Sequence, residues 1–155
     1  MEGGRTTENG IHYLNGIPVH TTDFGHDNIF GFSTSNLAKW IEEKSFGKIQ
    51  AKNILHVKIK QLDMAFNDED GFESLLKFLS KLENNTSVVV DAKLPHHLEI
   101  LASAIKVVSK EKRFLFRTAA SFINSLSALP PNPKCTADLV SLKSKNNEYK
   151  YLSLI

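Results

Sequence analysis

Cysteine is almost missing from this chain. Cys135 is the single one among 155 residues. An internal disulfide is therefore impossible, and no CxxC or Cys/His cluster of metal-ligand spacing exists. A reducing, cytoplasmic setting is the expectation. Long apolar runs are missing too, none approaching the roughly 20 residues that span a bilayer. Met1-Glu-Gly-Gly-Arg-Thr6 has no apolar stretch, so no secretory leader is expected. On that ground Asn84-Asn-Thr86 and Asn85-Thr-Ser87 read as turns rather than glycosylation acceptors. An excess of one charge is also absent. The net charge is +2, and lysines sit beside acids, as in Glu42-Glu-Lys44. No basic stripe suggests nucleic acid, and aromatic residues do not interleave with cations as on a single-strand-binding surface. Finally, there is no GxGxxG and no GxxxxGK[ST]. There is no GxSxG and no HExxH. Nothing in the chain is shaped to hold ATP and magnesium.

What remains is an ordinary globular composition, 41% apolar and 23% charged, of a length that suits one domain. Residues 1–10 are polar and glycine-rich and give little reason to fold alone. Asn15-Gly16 between Ile11-His-Tyr-Leu14 and Ile17-Pro-Val-His-Thr21 predicts a hairpin, since its tight turn needs positive φ at both central residues. Pro18 lacks an N–H and places its arm at an edge. The loop from Thr22 to Thr34 holds Phe24, Phe30 and Phe32, which predicts that it packs down. Ser35 is the expected N-cap of a helix from about Asn36 to Lys44, ended by Phe46-Gly47. The run Ser33-Thr-Ser-Asn36 as a whole reads as capping.

From Ile54 onward strands and helices alternate. Asn53 to Lys60 reads as a strand, and Asn67-Asp-Glu-Asp70 opens a helix where acids suit the macrodipole. Ser87-Val-Val-Val-Asp91 reads as a short strand, and Pro95 starts the next helix. Phe114-Leu-Phe116 reads as a third, buried strand, and a helix follows through Phe122, Ile123, Leu126 and Leu129. Such alternation implies a parallel sheet with helices on its faces. Ligands would lie outside the strands' carboxyl ends, near Lys60, Asp91 and Arg117. The expected fold class is therefore α/β, a three-layer Rossmann-like parallel sheet with flanking helices, preceded by a β-hairpin. Cys135 to Leu142 suits a weak helix, and Tyr151-Leu-Ser-Leu-Ile155 a short apolar end.

Chemistry concentrates in Arg113-Phe-Leu-Phe-Arg-Thr-Ala-Ala-Ser-Phe122. A helix start offers unpaired N–H groups and a positive dipole end to an anion. Arg117 would add a fork that matches a carboxylate. Thr118 and Ser121 would donate to the same anion or to sugar hydroxyls. Equally, Arg117 pairs with an acid such as Asp91, and Thr118 simply caps the helix. Asp91 either accepts from a ligand hydroxyl or forms a structural ion pair. Arg5, in Gly3-Gly4-Arg5-Thr6, either covers an anion or is solvated. The adjacent His96 and His97 are expected to diverge, which disfavours a metal.

Val88-Val-Val-Asp-Ala92, followed by Arg113 to Phe122, resembles the four-carbon acid sugar kinases. Gly4-Arg5-Thr6 looks like that family's Gly-Arg-x-Thr segment. Thr22-Asp-Phe24, Phe30-Gly-Phe-Ser33 and Ser35-Asn-Leu37 look like its loop into a helix. Asp27-Asn28 stands where the family often has Asp-Pro, and Lys93-Leu-Pro-His-His97 where it usually has acids. The resemblance covers roughly Gly4 to Pro133. It implies an ATP-dependent enzyme phosphorylating threonate, erythronate or 3-oxo-tetronates, with one α/β domain for the acid sugar and a second for ATP and magnesium. This chain is similar to the later part of the first domain, and no counterpart of the opening strand or the ATP domain is recognised. The expected division is a partial sugar-acid-binding domain over 1–133 and a divergent tail over 134–155. By resemblance, Arg117, Thr118 and Ser121 hold the substrate, with Asp91 and Arg5 in support, and no catalytic residue is expected. The expected partners are a small sugar acid and either a second copy or a separately encoded kinase half, with no nucleic acid and no membrane. The alternatives are a non-catalytic oligomerisation subunit and a gene remnant without selected function.

Overall fold

The computed structural model describes residues 4–127. The helix expected at 135–142, the end of the preceding helix at Leu129, the Pro130–Pro133 break and the apolar end at 151–155 lie outside them. The fold is mixed α/β, with two small sheets.

The first sheet is an antiparallel meander: β1 (Arg5–Glu8), β2 (Ile11–Leu14) and β3 (Ile17–Pro18), in that order. The predicted hairpin is present, and Pro18 lies on the edge strand. The polar, glycine-rich start, which gave little reason to fold alone, supplies strand β1 by pairing with β2. Asn9-Gly10 is a second turn of the same kind, with φ of 52° and 74°, beside 51° and 80° at Asn15-Gly16. Each Asn-Gly pair supplies the positive φ values that a tight hairpin needs.

After a short 3₁₀ turn, the loop to Thr34 departs from expectation. Phe24 and Phe30 are 53% and 76% exposed, and only Phe32 is part-buried. The loop is held instead by its own backbone, with the Asp27 carboxylate accepting from the N–H groups of Ile29 and Phe30. Helix α1 (Leu37–Lys44) starts one residue later than Ser35 implied. Asn36 is the cap, accepting from Lys39 N–H at 3.0 Å. Ser35 is buried, and its hydroxyl accepts from the His20 N–H at 2.9 Å. Phe46 and Gly47 end the helix in left-handed conformations.

The second sheet pairs β4 (Leu55–Val57) and β5 (Val88–Val90) in parallel, Leu55 opposite Val88 and Val57 opposite Val90. The predicted strand through Lys60 is too long. Ile59, Leu62 and Ala65 fall at helical spacing, and helix α2 (Ile59–Asn67) buries Leu62 and Ala65. Lys60 therefore lies in a helix and not at a strand end. Asp68 then joins two helices. Its N–H bonds back to Met64, and its carboxylate caps α3 (Glu69–Ser80) at Gly71. Asn84 and Asn85 turn the chain with positive φ. Helix α4 (Pro95–Val108) has Pro95 in its first turn, as expected, and buries a face that includes Leu98, Leu101, Ile105 and Val108. These side chains form one core with Val57, Leu62, Leu75, Leu79 and Phe122.

The expected third strand is absent. Residues 112–119 are irregular, and helix α5 (Ala120–Ser127) starts after them. Leu115 is fully exposed and Phe116 is 40% exposed. Phe114 and Phe116 stack at 6.1 Å, and Phe116 meets Phe122 edge-on at 5.4 Å. Residues 113–118 make no backbone hydrogen bond to β5. An apolar run becomes a strand only where a ladder partner takes its N–H and C=O groups. Ile123, expected on the buried face of α5, is 58% exposed.

Gly71 offers a test of this packing. Intrinsic propensity favours alanine in a helix by about 1 kcal/mol. A Cβ on Gly71, however, would run into the backbone carbonyl of Met64. The clash is with backbone, so it outweighs propensity. Gly71→Ala is expected to lower unfolding free energy by about 1–3 kcal/mol in urea titration.

Candidate functional site

Asp91 is 1% exposed at the end of β5. Its two oxygens accept from the N–H groups of Asn9 (3.0 Å) and Gly10 (2.9 Å). Immediately beside it, Thr7 and Ala92 exchange two backbone hydrogen bonds of 2.9 Å each. Together these clip the β1–β2 turn to the parallel sheet. His56 Nε2 also lies 2.9 Å from Asp91 Oδ1, but makes no well-directed hydrogen bond, so that contact is an electrostatic approach. Asp91 thus does not pair with Arg117.

The hairpin, α1, the 112–119 segment and α5 surround a cavity of about 1430 Å³. Its wall on the side of α3, β5 and α4 is apolar, including Leu79, Val88, Leu98 and Leu101. Its polar side chains come from the other elements and from the α3–β5 connection at Glu83–Ser87. Arg5, Arg117, Thr118 and Ser121, four of the five residues expected to bind substrate, all line it. Asp91 does not; its neighbours Val90 and Ala92 do.

Both arginines rest on aromatic rings. The Arg117 guanidinium lies 4.4 Å from the centre of Trp40 in α1, and that of Arg5 lies 4.9 Å from Phe24. Stacking occupies the flat face of a guanidinium and leaves its in-plane N–H groups for a carboxylate. The Thr118 hydroxyl makes only a long contact of 3.4 Å to the Ala119 carbonyl. Among the described residues the Ser121 hydroxyl makes no hydrogen bond.

Arg5 has a second contact. Its Nη1 lies 3.3 Å from His12 Nε2, and His12 Nδ1 lies 3.0 Å from the Thr7 hydroxyl. Guanidinium has no lone pair. His12 Nε2 must therefore accept, and Nδ1–H donates to Thr7. Burial, reinforced by the Arg5 charge, pushes the imidazole pKa below its ordinary 6.5. His12 is accordingly neutral at pH 7.

Outside the cavity, Asp63, His96 and His97 form the one close group of three metal-ligand-type side chains among the described residues. The expected divergence of the two histidines is corrected. Both reach Asp63 Oδ1, at 3.3 and 2.9 Å, with the Phe66 ring tilted against His96 at 4.6 Å. The His96 hydrogen bond, helped by that of His97, holds the Asp63 carboxyl below its ordinary value against the opposing effect of burial. This group does not suit a metal. His97 Nδ1 accepts from the N–H groups of Lys93 and Leu94, which leaves the proton on Nε2 and no lone pair there for a cation. Magnesium in particular takes oxygen ligands. The Asp63, His96 and His97 group therefore does not fit magnesium.

Sequence reasoning missed Trp40, Phe24 and His12. No local signal could have paired Trp40 with Arg117. The twin Asn-Gly turns, had both been used, would have placed His12 across from Thr7.

The chain matches the family model described as the sugar-binding N-terminal domain over residues 1–126, and it belongs to that family. This agrees with the resemblance to the acid-sugar domain of the four-carbon acid sugar kinases. No curated protein and no solved structure matches the chain.

Asp91 provides a check on the two roles open to it. Asp91→Ala strands the buried Gly10 N–H and removes a charged acceptor. It is expected to cost roughly 3–5 kcal/mol in urea denaturation. A normally stable variant that has lost ligand would instead make Asp91 a binding residue.

Proposed function

We propose that this domain binds a four-carbon sugar acid such as threonate, erythronate or a 3-oxo-tetronate. The supporting observation is the pair of ring-backed arginines, with the Thr118 and Ser121 hydroxyls, opening on one cavity in a sugar-binding domain. In this reading Arg117 forks onto the carboxylate, Thr118 and Ser121 serve the sugar hydroxyls, and Arg5 completes the charge. The cavity exceeds what one such molecule needs, so the ligand occupies only the part where these groups lie. In the same reading β4 and β5 belong to a Rossmann-like parallel sheet, and Asp91 supports the site from behind.

Isothermal titration with threonate and erythronate tests the proposal. One charge-assisted fork is worth about 1.5–3 kcal/mol, so Arg117→Ala should weaken binding about 10- to 100-fold. Binding that survives Arg117→Ala unchanged would remove the carboxylate from this site.

In a kinase, the phosphoryl group would come from ATP and magnesium, held by residues other than those described. Acting alone, the chain is a non-catalytic sugar-acid binder. A coupled assay for ADP release with either acid, ATP and magnesium should therefore show no turnover above background, whereas clear turnover would overturn the non-catalytic assignment.

A further inference from the structure

We propose that His12 is a positioning residue that sets the Arg5 guanidinium for its anion, an inference that rests on the sugar-acid reading of the cavity. In the β1–β2 register Thr7 faces His12 and Arg5 faces Leu14. Arg5 and Thr7 are two apart and share a face of the strand. His12 is thus the diagonal cross-strand neighbour of Arg5, within reach of a long side chain. Arg5, Thr7 and His12 all line the cavity.

Two restraints act on Arg5 in different directions. The Phe24 ring at 4.9 Å fixes the plane of the guanidinium. The His12 lone pair, 3.3 Å from Nη1, fixes its rotation within that plane. His12 is oriented in turn by the buried Thr7 hydroxyl. A neutral imidazole is essential, because imidazolium has no lone pair to offer and would repel the guanidinium. Burial beside Arg5 favours the neutral form. The other charged groups on the elements around it are Glu8 on β1 and, along the cavity, Glu83, Lys112, Arg113 and Arg117. His20 approaches through Ser35, whose carbonyl accepts the His12 N–H. A merely structural histidine would satisfy Thr7 and have no bearing on the arginine.

The test compares His12→Gln, which keeps one acceptor and one donor, with His12→Phe, which keeps bulk and removes both. In titration with threonate or erythronate, His12→Gln should bind within about 3-fold of the natural chain. His12→Phe should lose about 10-fold, the scale of one hydrogen bond to a charged group. Because His12 acts through Arg5, the double variant Arg5→Ala/His12→Phe should bind no worse than Arg5→Ala alone. Additive losses would overturn the proposal. A second arm needs no ligand. Nitrogen-15 NMR of the unaltered chain should show His12 protonated at Nδ1 and bare at Nε2, with Arg5 side-chain protons that exchange faster in His12→Phe but not in His12→Gln. The opposite tautomer, or Arg5 exchange indifferent to His12→Phe, overturns the positioning role even if a variant folds poorly. If no sugar acid binds the unaltered chain, the sugar-acid reading fails, and the NMR arm still decides whether His12 sets Arg5.

Discussion

The buried carboxylate of Asp91 holds the two halves of the structure together. A charge almost wholly removed from water is tolerable only when its lone pairs are taken up by hydrogen-bond donors. Here the donors are backbone N–H groups of the Asn9-Gly10 turn. The Thr7–Ala92 pair continues the junction. Everything at the cavity depends on it, because it fixes the β1–β2 hairpin against β5. Gly10 also accepts from Leu37, so the start of α1 is tied to the same turn. Arg5, His12 and Trp40 reach the cavity from elements that Asp91 anchors.

The cavity itself has two unlike walls. The side built from α3, β5 and α4 is continuous with the apolar core, whereas the hairpin, α1 and the 112–119 segment contribute cations, hydroxyls and rings. The arginines are stationed by contacts that leave their hydrogen-bonding edges available. An ion pair with Asp91 would have consumed Arg117. Stacking on Trp40 places the same cation in the cavity without neutralising it. Asp91 spends its acceptors on backbone amides, and among the described residues neither guanidinium is ion-paired. The Asp63 group shows the opposite case, in which a carboxylate and two imidazoles satisfy one another and a helix start.

The parts of the fold that sequence revealed are those with local causes. Asn15-Gly16, Pro95, Asp68 with its following acids, and Phe46-Gly47 each act through neighbouring backbone, and each lies where expected. Errors arose where the outcome depended on a remote partner. Phe114-Leu-Phe116 is apolar as a buried strand should be, but makes no ladder. The stretch from Asn53 to Lys60 is a strand only over Leu55–Val57 and turns helical at Ile59, because Leu62 and Ala65 found a core to enter. Phe24 and Phe30 looked like buried anchors, yet Phe24 lies exposed beneath an arginine and Phe30 is largely exposed.

By itself the sequence determined the α/β class, the turns and caps, the sugar-binding family, and the candidates Arg5, Arg117, Thr118 and Ser121. Those properties follow from backbone preferences and residue types in short runs, which do not require knowledge of the whole. Only the tertiary structure decided that Asp91 serves as an anchor, that Trp40 and Phe24 carry the arginines, and that His12 faces Arg5. Each of those contacts joins residues from different elements. Their partners are chosen by how the hairpin docks on the parallel sheet, a long-range choice on which no short run of residues carries information.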